Sequence, residues 1–335
     1  MLAAAILLAA ALVIAYQFRS YTFDWRRVIA TFAGMSPGWL ILSLPFGLAT
    51  YLGRALRWRV MVRPIRPEAS LANILNATVI GFTAMVLFGR AGELVRPYLI
   101  AVKEKVSFSS QMAAWLLERI YDLLVILVLL GASLLTISPG HGPTGPAIGF
   151  LLRVGGYLIG SIGLVAVAVL FALGRLSPDS EKSLLDSLAN LVPAWHDRIE
   201  RLAAGFLEGT RSSRNQSFVL QILLYSLLEW ALIAASVGCV FLGFPPSSHF
   251  GIADTLLFVG FVSFGNVVQI PGVGGGMQVA TVVILTQFFH LGLEASASLA
   301  LVVWVFSMVT VVPWGLIQAF REGLEWRKLR QLEPR

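Results

Sequence analysis

A single cysteine, Cys239, stands in a chain of 335 residues, so an intrachain disulfide, a thiolate zinc site and CxxC redox chemistry are all excluded. The four histidines, His141, His196, His249 and His290, fall in or next to different interhelical segments without ligand spacing, and no metal is expected. Charge is scarce as well: 13% of residues are Asp, Glu, Lys or Arg, against roughly 25% in an average soluble protein. No Walker-type phosphate loop occurs, and no cofactor is expected. No polar stretch suffices for a soluble domain. The longest, residues 174–216, is near the lower limit for an independent core and reads as an amphipathic linker lying on a membrane.

What the chain has in abundance is apolar sequence, 57% of it, with a mean hydropathy of +0.80. Runs at 123–135, 148–173, 218–241 and 296–319 approach or exceed the ~20 residues that cross ~30 Å of hydrocarbon. The fold class is therefore an all-α polytopic membrane protein, read as one integral membrane domain over residues 1–335. Residues 1–15 lack a basic n-region and a clear cleavage site, so they read as a first span and not as a signal peptide. The net charge of +7 would suggest nucleic acid in a soluble protein. Here the cations cluster beside spans, so the expected partner is the anionic lipid surface, not nucleic acid.

Lys and Arg placement sets orientation. Arg54, Arg57, Arg59, Arg63 and Arg66 crowd the end of the second span. Lys103 and Lys105 precede the third, and further cations lie in 174–216 and in the C-terminal tail. These segments are expected on the cytoplasmic side, with both termini, in a bacterial inner membrane. Arg19 to Arg27 contradict the rule, and a short interfacial helix including Trp25 would soften that conflict. Six full spans follow, near 1–16, 38–62, 111–136, 147–173, 217–243 and 296–320. Two apolar segments remain, 71–102 and 252–290. Each is interrupted at its centre and must start and finish on one side, as a re-entrant hairpin or a pair of short spans. The first breaks at Gly89 to Gly92, the second at Pro271 to Gly276. Span, broken pair, span occurs over 38–136 and again, inverted, over 217–320, which implies an inverted-topology repeat whose breaks meet near the midplane.

The charges at the first break carry the functional argument. A charge at hydrocarbon depth costs about 2.5–3.5 kcal/mol or more, so Arg90, Glu93 and Arg96 must face protein, water or a polar ligand. Irregular backbone at that depth must be buried in protein or line a cavity. Glu93 and Arg96 share a helical face, and Arg90 could offer its donors to a lipid phosphate. In the third span Glu118 and Asp122, at i, i+4, repel each other and need a cation. Arg119 points elsewhere, so Arg90 or Arg96 is expected to supply it. At the second break Asn266, Gln269, Gly272, Gly274, Gly275 and Gln278 either bind a head group or satisfy the freed backbone. Glu229, near the middle of its span, reads either as a proton carrier or as a carboxyl hydrogen-bonded across helices.

Taken together, Gly-Arg-Ala-Gly-Glu-Leu-Val-Arg at 89–96, Glu-Arg-Ile-Tyr-Asp at 118–122, Arg57-Trp58 and the Pro-Gly-rich break at 271–276 resemble the lysylphosphatidylglycerol synthase transmembrane region, a flippase-like family. The resemblance covers nearly the whole chain. It implies a membrane domain that moves lipid between leaflets. The sequence ends shortly after its last apolar run, so the stand-alone form, without the soluble aminoacyl-transfer domain, is expected. Two positions depart from the family pattern. Phe88 stands where Pro is common, and Gln278 where Glu is common, which weakens the case for a cationic head group.

The expected function is thus a lipid flippase or transporter for a phospho- or glycolipid, and not an enzyme. The competing reading is a membrane-embedded transferase or phosphatase acting on a lipid carrier. Expected partners are membrane lipids with an anionic or glycosylated head group, and either further copies of the chain or a separate lipid-modifying enzyme.

Overall fold

The computed structural model describes residues 24–135, 154, 156–158, 160–165, 216–265, 269–270 and 274–323. The expected first span and nearly all of the 174–216 linker lie outside the described residues. Helix α1 (Trp25–Ala33) begins where the Asp24 side chain accepts from the Arg26 amide at 2.9 Å. It is followed by α2 (Pro37–Val62), α3 (Leu71–Phe88), a 3-10 segment (Gly89–Leu94), α4 (Val95–Glu104) and α5 (Phe108–Leu135). After the 154–165 region come α6 (Gln216–Leu242), α7 (Ile252–Gly265), α8 (Gly276–Gln287), α9 (Leu293–Ser307) and α10 (Val312–Arg321).

Four stretches among the described residues are long and apolar enough to cross a membrane: Pro37–Val62, Leu71–Glu104, Ser217–Leu242 and Leu293–Arg321. Helix α5 has 28 residues, ample length to cross, but carries Glu118, Arg119 and Asp122. The chain is an all-α multi-pass membrane protein.

The Leu71–Glu104 stretch is not one straight rod. Gly89 takes φ +66°, a left-handed conformation open to glycine at little cost, and ends α3 there. The 3-10 segment then turns the chain back, so that α4 runs beside α3. A Cβ on Gly81 would lie 2.5 Å from Arg96 Cβ, and one on Gly92 would lie 2.3 Å from the Ala84 backbone. In a straight helix residues 81 and 96 would be separated by about 22 Å along the axis. The two open ends are tied by Glu104, whose oxygens accept from the Ser70 amide at 3.1 Å and from Asn73 Nδ2 at 2.8 Å. The segment is a helical hairpin whose two open ends adjoin.

The second interrupted segment folds similarly. Helices α7 and α8 pack on each other, and between them Gln269–Ile270 pairs antiparallel with Gly274–Gly275, Gln269 opposite Gly275 and Ile270 opposite Gly274. Cα atoms of Gln269–Ile270 come within 8 Å of the Gly89–Leu94 segment, so the two hairpin tips adjoin.

The span expected at 296–320 falls within Leu293–Arg321 but is interrupted: α9 stops at Ser307, a 3-10 turn occupies Val309–Val311, and α10 restarts with Pro313 in its first turn. Proline has no amide hydrogen and clashes with the preceding turn, so a continuous helix is interrupted there. The broken end packs on the first hairpin, where the Thr83 hydroxyl donates to the Val311 carbonyl at 3.4 Å.

Two large apolar clusters and two small ones result among the described residues. Of the large ones, the first gathers Trp58, Ile74, Ile80, Ile100 and Ile222 from α2 to α6, and the second Phe241, Phe258, Leu285 and Leu299 from α6 to α9. Helices α2 and α6 lie along each other through the centre and join the two.

Candidate functional site

Where α2, α5, α6 and the returning arm α4 converge, six charged side chains are packed together. Arg57 is fully buried and forms the hub. Its Nη1 donates to Asp122 Oδ1 at 2.5 Å and to the Ser226 hydroxyl at 2.8 Å. Its Nη2 donates to Glu118 Oε1 at 2.6 Å and lies 3.0 Å from Glu229 Oε2. Arg54, one helical turn earlier on α2, pairs with Glu229 Oε1 at 2.9 Å. Arg96 forks onto both oxygens of Glu118 and stacks on Trp58, its guanidinium carbon 4.1 Å from the ring centroid.

The arrangement follows from helical spacing. Arg54 and Arg57 are i, i+3 on α2, Ser226 and Glu229 are i, i+3 on α6, and Glu118 and Asp122 are i, i+4 on α5, so each helix offers one polar stripe to the same interior point. Three arginines face three carboxylates, and the cluster carries no formal net charge. Buried ions are tolerable only when paired, and every charge of this set has a partner of opposite sign, although Arg54 Nε, Arg57 Nε and Glu229 Oε2 make no hydrogen bond among the described residues.

Several expectations are corrected here. Arg57 supplies the principal cation between Glu118 and Asp122, and Arg96 joins it on Glu118. Arg90 sits exposed at the hairpin tip and pairs with neither. Arg119 is exposed too, with its guanidinium carbon 5.8 Å from the Trp115 ring centroid, outside the cluster. Glu229 is not an isolated carboxylate, because Arg54 and Arg57 hold both of its oxygens. The sequence reading missed Arg54 and Arg57, assigning them to a cytoplasmic charge crowd. The available signal was their position inside the 38–62 span, not beyond it.

Glu93 is half-buried and lines a recess of about 10 Å³ with Gly81, Phe82, Met85, Arg96, Trp115 and Arg119. At the second break, Gly275 takes φ +113° and donates its amide to Gln278 Oε1 at 2.7 Å. Gln278 therefore caps its own helix, satisfying the freed backbone. Gln269 and Gly274 belong to the short strand pair, while Asn266 and Gly272 lie outside the described residues.

Beside the charge cluster a cavity of about 100 Å³ opens between α2, α3, α6, α7, α8 and α9. Arg54, Tyr51 and Thr50 line it from α2, Phe82 from α3, Trp230 and Ser236 from α6, Ser263 from α7 and Met277 from α8. Arg54 reaches it with 17% of its side chain exposed, whereas Arg57 shows none. The Arg54 guanidinium lies over the Phe82 ring at 4.2 Å, and Arg96 lies 5.2 Å from the same ring. Phe82 thus lines both the cavity and the recess.

Among curated proteins, the chain is similar to the Glycosyltransferase AglD of Haloferax volcanii, 22% identical over 301 residues. That match takes in 82% of this chain and 47% of the relative, so the chain spans about half the relative's length. No solved structure matches. The family model of the lysylphosphatidylglycerol synthase TM region matches residues 2–315, which contain both hairpins and the whole charge cluster, and the chain belongs to that family.

Proposed function

We propose that the protein is a lipid flippase or transporter that passes a phospho- or glycolipid head group between leaflets while the acyl chains stay in the bilayer. The observation that carries this reading is the central cavity, lined by an arginine and several hydroxyls yet set among apolar spans. The hydroxyls donate to backbone carbonyls, but a guanidinium partly open to the cavity at such depth is costly unless a polar ligand or water uses it. The hairpins support the reading as re-entrant elements whose adjoining tips flank the path. On the cation distribution, the ends of the first hairpin and both termini face the cytoplasm of a bacterial inner membrane. The lipid supplied to such a protein would come from a separate lipid-modifying enzyme, and the working unit could be a homo-oligomer.

The test is a proteoliposome assay with a head-group-labelled phospholipid, scored by a quencher that reaches the outer leaflet only. Wild-type protein is expected to expose inner-leaflet label, and Ser263→Phe, which fills the cavity, to slow that exposure. Vesicles that behave like protein-free ones would sink the proposal.

A second reading, a membrane-embedded transferase or phosphatase acting on a lipid carrier, is favoured by the name of the curated relative. Against it, the acid pair Glu118 and Asp122 is clamped by Arg57 and Arg96 and not presented to a substrate. Turnover of a lipid phosphate by the purified protein would reverse the ranking.

A further inference from the structure

Two donors converge on the central cavity with capacity to spare. Trp230 is 8% exposed, lines the cavity, and its indole Nε1–H has no hydrogen-bond partner among the described residues. A buried donor left unsatisfied costs about 1–3 kcal/mol, so its persistence calls for an acceptor. Arg54 Nε lies 2.9 Å from Glu229 Oε1 as an ion pair without a hydrogen bond, and its side chain is partly open to the cavity.

The hydroxyls around them offer little competition. Thr50 Oγ1 donates to the Gly47 carbonyl at 2.6 Å, Ser236 Oγ to Ser43 at 3.1 Å and Ser263 Oγ to Val259 at 2.6 Å. Tyr51 donates to the Ser307 carbonyl at 3.4 Å. No carboxylate lines the cavity among the described residues. Its surplus is therefore of donors, one of them on a guanidinium, which suits an anionic oxygen acceptor.

From this we infer that the central cavity is a phosphate site, with the Arg54 guanidinium and the Trp230 indole N–H as its donors and Phe82 as the wall closing it from the Glu93–Arg96 recess. The inference rests on the transport reading and names the part of the lipid that is recognised. At about 100 Å³ the cavity far exceeds the roughly 10–15 Å³ that a single water needs, so a phosphate group fits it. The planar fork of arginine suits such an oxyanion, and its stacking on Phe82 presets the plane of the donors.

The experiment is equilibrium binding to the purified full chain in detergent, with short-chain phosphatidylglycerol, short-chain diacylglycerol and inorganic phosphate as separate probes. Wild-type protein is expected to bind phosphatidylglycerol at least about tenfold more tightly than diacylglycerol. Arg54→Gln should remove that preference, and Trp230→Phe should weaken it while leaving the fold intact. Because Arg54→Gln leaves Glu229 less well paired, Arg54→Gln with Glu229→Gln is measured beside it, and the same loss is expected. Inorganic phosphate that competes as well as the lipid identifies the ligand as free phosphate. Phosphate that fails to compete identifies it as a lipid phosphate, and both outcomes uphold the site. Equal binding of phosphatidylglycerol and diacylglycerol, or an unchanged preference in Trp230→Phe and the double variant, would overturn it. Binding with no scrambling in vesicles would instead remove the transport reading and leave the phosphate site standing.

Discussion

Arg57 and Asp122 meet fork to fork across α2 and α5, Nη1 on Oδ1 at 2.5 Å and Nη2 on Oδ2 at 3.3 Å. This contact orders the surrounding charges. With its fork seated on Asp122, Arg57 has directions left for Glu118 and Ser226, and Glu229 closes the far side within ion-pair distance. One side chain from α2 therefore pins α5 and α6, and through Glu118 and Arg96 it also pins the returning arm of the first hairpin.

Removal of that hub should be severe. Arg57→Met leaves three carboxylates at apolar depth with only Arg54 and Arg96 to answer them, and breaking a buried pair costs about 3–5 kcal/mol. Arg57→Lys should rescue little, because an ammonium cannot span the same acceptors with a planar fork. Thermal unfolding followed by size-exclusion chromatography in detergent checks this, and a melting temperature unchanged by Arg57→Met would refute the hub role.

The hairpin is held by close backbone approach, and it predicts a contrast among glycines. Gly81→Ala and Gly92→Ala place a methyl 2.5 Å and 2.3 Å from Arg96 Cβ and the Ala84 backbone, so each should destabilise by about 1–3 kcal/mol. Gly53→Ala on α2 meets nothing within 4 Å and should be neutral or slightly stabilising through helix propensity. The same unfolding assay separates them, and equal effects at 53 and 81 would refute the packing described.

Helix α1 should lie in the interface. Trp25, Ile29 and Phe32 are exposed along one face, while Arg26 and Arg27 are exposed away from it. That spacing is the pattern of a helix with its apolar face among acyl chains. With Cys239 replaced by Ser, a nitroxide at Ile29→Cys should be more accessible to oxygen than to a polar nickel chelate, and one at Arg26→Cys the reverse. Equal accessibility at both positions would place α1 in water.

Much of this was legible in the sequence, for identifiable reasons. The hydropathy runs gave α2, α5 and α6 to within a few residues, since apolar length at membrane depth has few other meanings. The break at 89–92 was visible because glycine and charge interrupt the same run. Arg96 was read as a partner of this acid pair and does hold Glu118, but Arg57 was missed because Arg54 and Arg57 stand near other cations in sequence, and chain proximity to Arg59 and Arg63 outweighed their place within the span. The cavity was not legible at all. Tyr51, Phe82 and Trp230 come from three helices, and nothing in their local spacing announces that they share a space. The break at 308–311 was masked by a continuous valine-rich run, although Pro313 was there to be read.

Sidedness offers the most direct test of how the hairpins sit in the membrane. The first hairpin opens and closes where Glu104 ties Ser70 and Asn73, so Glu68 and Lys105, both exposed, should label from one face. The second hairpin lies between the exposed His249 and His290. In an inverted repeat these two should label together from the opposite face. In a Cys239→Ser background, single cysteines at the four positions are exposed to a membrane-impermeant maleimide in sealed, oriented vesicles. The expected outcome is that 68 and 105 react from the cytoplasmic side and 249 and 290 from the other. If 68 and 105 label from different faces, the first segment is a span and not a hairpin. If all four label from one face, the inverted arrangement fails, because inversion requires the two hairpins to enter from opposite sides.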